Sequence, residues 1–133
     1  MAQRLVLLAV HAHPDDESLG TGGTLARYAA EGVETVLVCA TKGEEGDIQN
    51  PSLDPSEVPE EISELRMKEL EAACRVLGIH RVYLLGYRDS GMAGSASNAH
   101  PEALVNADMA EATGRLVGIM REVRPQVVIT YNL

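Results

Sequence analysis

Four short apolar runs, at 5–10, 35–40, 82–85 and 127–130, punctuate the chain, each four to six residues long and rich in Val, Leu and Ile. Runs of that length predict strands covered on both faces, as in a parallel sheet. Helical spacing fills the gaps between them. A first helix is predicted over about 22–31, with Leu25, Tyr28 and Ala29 on one face and Gly32 as its stop. A second is predicted to open near Ser56 with Pro59 in its first turn, to bury Ile62, Leu65, Leu70, Ala73 and Leu77, and to end at Gly78. A third starts near Asn106 or Asp108, carries Met109, Ala112, Leu116, Ile119 and Val123 at spacings of three and four, and closes at Pro125.

Strand and helix therefore alternate, which predicts a layered α/β domain over 1–133 with a parallel sheet and helices on both faces. Two long loops, 41–55 and about 86–100, each follow a strand. In open parallel sheets ligands bind outside the carboxyl ends of strands, so function is expected there. The chain stops at Tyr131-Asn132-Leu133, at the carboxyl edge of the fourth strand, and the expectation is that it is a fragment.

Composition narrows the class. With 133 residues and 45% hydrophobic content the chain can bury a core without staples. Phe and Trp are absent and only four Tyr occur, so the core is aliphatic and a base-stacking platform is disfavoured. Lys plus Arg number 11 against 20 Asp plus Glu, a formal charge of −9 that disfavours nucleic acid as a partner. The two cysteines, Cys39 and Cys74, lie in apolar stretches and are read as buried free thiols of a reducing compartment. No run reaches the length of a membrane span and no signal peptide is evident, so a cytoplasmic protein without membrane partners is expected.

The densest chemistry is His11-Ala12-His13-Pro14-Asp15-Asp16-Glu17, directly after the first strand. Imidazole nitrogen and carboxylate oxygen are the donors of a catalytic zinc. His13 and Asp16 are three apart, so a turn after Pro14 would bring both to one side, leaving Asp15 to act as a base on an attacking water. The alternative is an acidic loop in which Asp15 or Asp16 caps the next helix. Gly20-Thr21-Gly22-Gly23-Thr24 lacks the spacing of a phosphate cradle and is read as close backbone packing beside this loop. Gly114 and Gly118 are read as a close helix–sheet approach, and His80 and His100 as solvated.

His13-Pro14-Asp15-Asp16-Glu17 followed by Gly22-Gly23-Thr24 resembles the opening of the LmbE-like, or PIG-L, family of zinc-dependent N-deacetylases. The resemblance continues through Gly43-Glu44-Glu45-Gly46, Arg66, Tyr87-Arg88-Asp89-Ser90-Gly91-Met92 and Arg124-Pro125-Gln126-Val127-Val128-Ile129-Thr130-Tyr131. It is most like the mycothiol branch, which holds the N-acetylglucosaminyl-inositol deacetylase and the mycothiol S-conjugate amidase. The resemblance implies a Rossmann-like three-layer sandwich with strand order 3-2-1-4. It implies a hydrolase that cleaves the amide of an N-acyl amino sugar or its thiol conjugate. In that scheme His13 and Asp16 are metal ligands, Asp15 is the catalytic base, and Asp47, Arg66 and Asp89 face the substrate. The family's third ligand belongs to a His-Pro-Asp-His stretch a few residues past the end of this strand, so weak zinc binding by these 133 residues is expected. Ferrous iron suits the same nitrogen and oxygen donors. The competing readings are an inactive truncated remnant and a non-catalytic nucleotide-binding α/β module. An apolar fourth strand at the sheet edge further predicts self-association as a homo-oligomer, or poor solubility.

Overall fold

The computed structural model describes residues 4–132. Its strands are β1 (Val6–His11), β2 (Glu34–Cys39), β3 (Arg81–Leu84) and β4 (Val127–Ile129). All pair in parallel in the order β3-β2-β1-β4, the order the resemblance implies. The helices are α1 (Asp16–Ala30), α2 (Ile62–Leu77) and α3 (Met109–Val123).

The continuous apolar runs of β1 and β2 are explained by burial on both faces, whereas in β3 Val82 and Leu84 are 39% and 38% exposed, so the double cover expected of that run is incomplete. Alternate residues of β1 and β2 enter two cores. Leu7, Ala9, Leu37 and Cys39 meet Leu25 of α1 and Leu70 and Cys74 of α2. Leu8, Val36 and Val38 meet Val123 of α3, with Leu116, Ile119 and Met120 packed alongside. Leu8 and Leu37 are wholly buried, and each such side chain stabilises the fold by about 1.5–3 kcal/mol.

Several helix boundaries depart from the periodicity. α1 begins at Asp16, six residues before the expected start, because Asp16 and Glu17 suit the positive end of a helix dipole, and it carries Gly20, Gly22 and Gly23 inside it despite their low helix propensity. Tyr28, expected on its buried face, is 41% exposed. α2 begins at Ile62 rather than near Ser56. Asp54 accepts the Ser56 N–H and closes a separate 3-10 turn at Pro55–Glu57, after which Val58, ahead of Pro59, is extended. Gly78 does end α2, in the left-handed region at φ 72°, with a Cβ there lying 2.9 Å from that of Ala29. α3 is capped by Asp108, which accepts the Glu111 N–H at 2.8 Å. Met109 is 79% exposed and Gly114 and Gly118 approach nothing within 4 Å, so neither the first position of that stripe nor the glycine pair packs on the sheet. Gly22 does pack closely, with a Cβ there meeting Leu77 at 3.6 Å, whereas Gly20 and Gly23 face open space.

β4 pairs with β1 over three positions, and Val127 and Val128 are 54% and 40% exposed. The cover expected on both of its faces is incomplete among the described residues. Leu133 lies outside them.

Burial pushes the Cys39 thiol up to about 12 and that of Cys74 to about 11, with Glu17 adding to both. The folded thiols therefore hold protons that unfolded ones, near 9.0, give up. Stability is fully present below pH 9 and is lost progressively as pH rises toward 11 and 12. Urea titrations across that range are expected to show a falling midpoint, blunted in a Cys39→Ala/Cys74→Ala variant. An identical alkaline decline in that variant would assign the effect to other groups.

Candidate active site

The β1–β2 ladder ends at His11 opposite Cys39, and the chain leaves β1 through Ala12–Asp15 into α1. This exit lies beside β4, at the point where the strand order reverses, the usual ligand crevice of an open α/β sheet. Thr41, just past β2, holds the exit down: its hydroxyl donates to the Ala12 carbonyl at 2.9 Å and its N–H to the same oxygen at 3.0 Å. Asp15 sits at the helix cap with φ 149° and ψ −29°, a conformation L-residues rarely adopt. Its side chain makes no capping bond; instead the buried Glu17 carboxylate accepts the Asp15 N–H at 2.9 Å. Strain of this kind costs about 1–3 kcal/mol and concentrates at functional positions.

The turn brings His13 and Asp16 together as their spacing suggests. His13 Nδ1 lies 3.6 Å from Asp16 Oδ2, which also accepts the His13 N–H at 3.0 Å. His13 Nε2 lies 3.2 Å from Oδ1 of Asp89, a buried carboxylate. An ionised carboxylate only accepts, so a neutral His13 carries its proton on Nε2. Nδ1 is then a bare lone pair facing a second acceptor. A nitrogen and an oxygen 3.6 Å apart can share one cation, a metal ion or a second proton on the ring. The donor set therefore fits two of the positions around a zinc or ferrous ion. Among the described residues, no three His, Cys, Asp or Glu side chains come together as a metal-holding group.

Asp16 is braced from the other side. The Tyr131 hydroxyl, just beyond β4, donates to Asp16 Oδ2 at 2.6 Å and accepts the Ala12 N–H at 3.0 Å. Withdrawal from water pushes the Asp16 carboxyl up, but the Tyr131 bond, the His13 N–H and the His13 ring outweigh it and hold the group below its ordinary value of 3.8. Loss of water around the Tyr131 hydroxyl, reinforced by Asp16, pushes that group up to about 12, so it keeps its proton to donate.

Arg66 reaches across from α2. Its Nη2 donates to the Pro14 carbonyl at 2.7 Å and to Asp15 Oδ2 at 2.9 Å, and its Nη1 to the Gly43 carbonyl at 2.9 Å. Gly43, at φ 67°, makes room for it: a Cβ there would lie 2.0 Å from Nη1. Asp47 is exposed and lines, with Asp15, Arg66, Ile48, Leu53 and Leu65, a cleft of about 340 Å³ on the α2 side of Asp15.

The structure thus gathers His13, Asp16 and Asp89 in one cluster and Asp15 with Arg66 beside it. Asp47 stands at the rim of the adjoining cleft. Asp89 turns inward: Oδ1 also accepts the Gly91 N–H at 3.0 Å, and Oδ2 faces the Glu45 N–H at 3.4 Å. His100 accepts the Glu102 N–H and His80 the Thr35 N–H, so neither approaches the His13 pair through these bonds. Sequence reasoning assigned no site role to Tyr131, Glu44 or Glu45. Glu44 accepts the Asp89 N–H at 3.0 Å, and Glu45 accepts Arg88 Nη2 and the Ser97 hydroxyl, each at 2.6 Å. Two adjacent carboxylates in a glycine-flanked loop were the available signal, but their partners lie more than forty residues away.

Comparison with known proteins bears on this arrangement. Residues 8–133 match the family described as PIG-L: GlcNAc-PI de-N-acetylase. The chain is 50% identical over 132 residues to the 1D-myo-inositol 2-acetamido-2-deoxy-alpha-D-glucopyranoside deacetylase of Thermobifida fusca (strain YX), covering 95% of this chain and 46% of the relative. For the enzyme of that name from Salinispora arenicola (strain CNS-205) the figures are 51%, 95% and 43%. The chain therefore spans about half the length of these relatives. It also superposes on the N,N'-diacetylchitobiose deacetylase from Pyrococcus horikoshii with a TM-score of 0.66 and 32% identity, covering 92% of this chain and 39% of that one. A family match that extends from β1 through β4 takes in every cluster described above, and the chain belongs to the PIG-L de-N-acetylase family.

Proposed function

We propose that these residues carry out metal-dependent hydrolysis of an N-acyl amino sugar, releasing a carboxylate and a free amine. The observation that carries the reading is the His13–Asp16 donor pair at a strand end, 3.6 Å apart, with Asp15 next to it in a PIG-L chain. The identity of about 50% to deacetylases of an N-acetylglucosaminyl-inositol favours that substrate class. Residues 1–133 are read as the N-terminal portion of the deacetylase fold.

His13 and Asp16 would hold a zinc or ferrous ion, whose chemistry is Lewis-acid polarisation of the acyl carbonyl. Asp15 takes a proton from the attacking water as the new C–O bond forms. It returns that proton to the amine nitrogen as the C–N bond breaks. Among the described residues Asp15 Oδ1 has no hydrogen-bond partner, while Arg66 orients the carboxylate through Oδ2. Asp47 and Arg66, on the cleft wall beside Asp15, are assigned to the sugar or inositol hydroxyls. No helix of the described residues is long and apolar enough to cross a membrane. We place the protein in the cytoplasm, consistent with its two free thiols. For the 133 residues taken alone, the exposed β4 edge supports self-association.

The test is acetate release from N-acetylglucosaminyl-inositol by the full-length protein, stripped of metal and then supplied with zinc or ferrous ion. Activity lost on stripping and restored by either ion is the expected result. Undiminished activity in the stripped protein, or none under any condition, would remove the proposal.

A further inference from the structure

Each of the two donors is held by a side chain whose other hydrogen bonds come from backbone N–H groups. We infer that Asp89 and Tyr131 are positioning residues for the metal pair: Asp89 selects the His13 tautomer and Tyr131 orients the Asp16 carboxylate. The inference rests on the metal-dependent reading above. It departs from a substrate-binding role for Asp89 and gives a role to Tyr131, which the family motif left without one.

The hydrogen-bond inventory around Asp89 carries the first half. Its side chain is 8% exposed. Oδ1 accepts from the Gly91 N–H at 3.0 Å and meets His13 Nε2 at 3.2 Å; Oδ2 faces the Glu45 N–H at 3.4 Å. Both oxygens are occupied by protein donors, and little surface remains for a sugar hydroxyl. An acceptor fixed at Nε2 forces the neutral ring to keep its proton there and to leave Nδ1 bare. Nδ1 is the nitrogen that faces Asp16. A carboxylate behind a ligating imidazole is a recurrent arrangement that fixes the tautomer and strengthens the ligand. Glu44 accepts the Asp89 backbone N–H at 3.0 Å and so holds the main chain that carries the carboxylate.

The second half follows from Tyr131. A phenol has one proton, and its oxygen already accepts the Ala12 N–H at 3.0 Å. The proton therefore goes to Asp16 Oδ2 at 2.6 Å. The hydroxyl ties the segment after β4 to the turn after β1 and leaves Asp16 Oδ1 outside the bond. Asp16 and His13 are thus braced from opposite sides, one through β4 and one through the loop after β3.

The experiment reads the tautomer without metal and the affinity with it. Nitrogen-15 chemical shifts of the histidine rings are measured in the metal-free full-length protein, above the imidazole titration range. Zinc affinity of the same samples is measured by competition with a chromophoric chelator. Wild type is expected to show His13 protonated at Nε2. Asp89→Ala is expected to mix the two tautomers and to weaken zinc about 10-fold or more. Asp89→Asn keeps an oxygen acceptor and is expected to restore the Nε2 tautomer and part of the affinity. Tyr131→Phe is expected to leave the tautomer alone and weaken zinc by about 10-fold. An Asp89→Ala protein with an unmixed Nε2 tautomer overturns the role of Asp89, and an unchanged affinity in Tyr131→Phe overturns that of Tyr131. If Asp89→Ala does not fold, an Nδ1-protonated His13 in wild type overturns the role of Asp89 directly. A wild type that binds no zinc but shows the expected tautomers sinks the metal reading while upholding the contact of Asp89.

Discussion

Asp15→Ala is expected to lower deacetylation by the full-length protein about 10²–10⁴-fold, the usual contribution of a positioned general base. The zinc affinity should stay close to wild type, because the donors His13 and Asp16 keep their partners Asp89 and Tyr131. Asp15→Gly separates chemistry from backbone. Both variants lose the carboxylate and its bond to Arg66, so the difference between them reports the conformation at φ 149°. Relief of about 1–3 kcal/mol of strain outweighs the roughly 0.5–1 kcal/mol that glycine's extra freedom costs. Asp15→Gly should therefore be the more stable of the two and equally inactive. Chemical denaturation decides it. Equal stabilities would show that the Asp15 backbone is unstrained, and an active Asp15→Ala enzyme would remove this residue as the base.

Gly43→Ala is expected to cost about 2–5 kcal/mol of stability, combining the left-handed backbone penalty with disruption of charge-assisted bonds. The new Cβ would fall 2.0 Å from Nη1 and 2.4 Å from Cζ of Arg66. The Arg66 side chain is only 14% exposed and its guanidinium is tied to two carbonyls and Asp15, so it has nowhere to retreat without breaking those bonds. Freed from Arg66, Asp15 should lose its orientation, and activity should fall together with stability. Gly46→Ala makes the comparison, since its Cβ would meet the same Nη1 at 2.8 Å and its φ is not positive. It should be the milder variant. A Gly43→Ala protein within 0.5 kcal/mol of wild type, on the order of an ordinary surface substitution, would show that Arg66 is not seated where the hydrogen bonds place it.

Local patterning decided most of what could be read in one dimension. The unbroken apolar runs placed every strand to within a residue; β1 and β2, covered on both faces, have no polar alternation to blur them, and β3 and β4 keep apolar runs although their cover is partial. The three-residue spacing of His13 and Asp16 placed both on one turn, since consecutive residues fix their own geometry. The start of α2 was misplaced because Ser56 and Pro59 are compatible with a helix N-terminus, and only the Asp54 bond and the extended Val58 reveal a separate turn. Motif likeness added the strand order and pointed to Arg66 and Asp89 as candidate site residues.

What the chain in three dimensions decided is where those side chains spend their hydrogen bonds. Nothing in the sequence near Asp89 states that it faces His13, 76 positions away, nor that Tyr131 meets Asp16 across 115. Those distances close only because the parallel order β3-β2-β1-β4 opens every strand exit on the same edge of the sheet, where the loop after β3 and the segment after β4 both reach the turn after β1. Hydrogen bonds are short and directional, so a role that depends on which oxygen faces which nitrogen is set by the packing of layers, after residue type and spacing have only made it available.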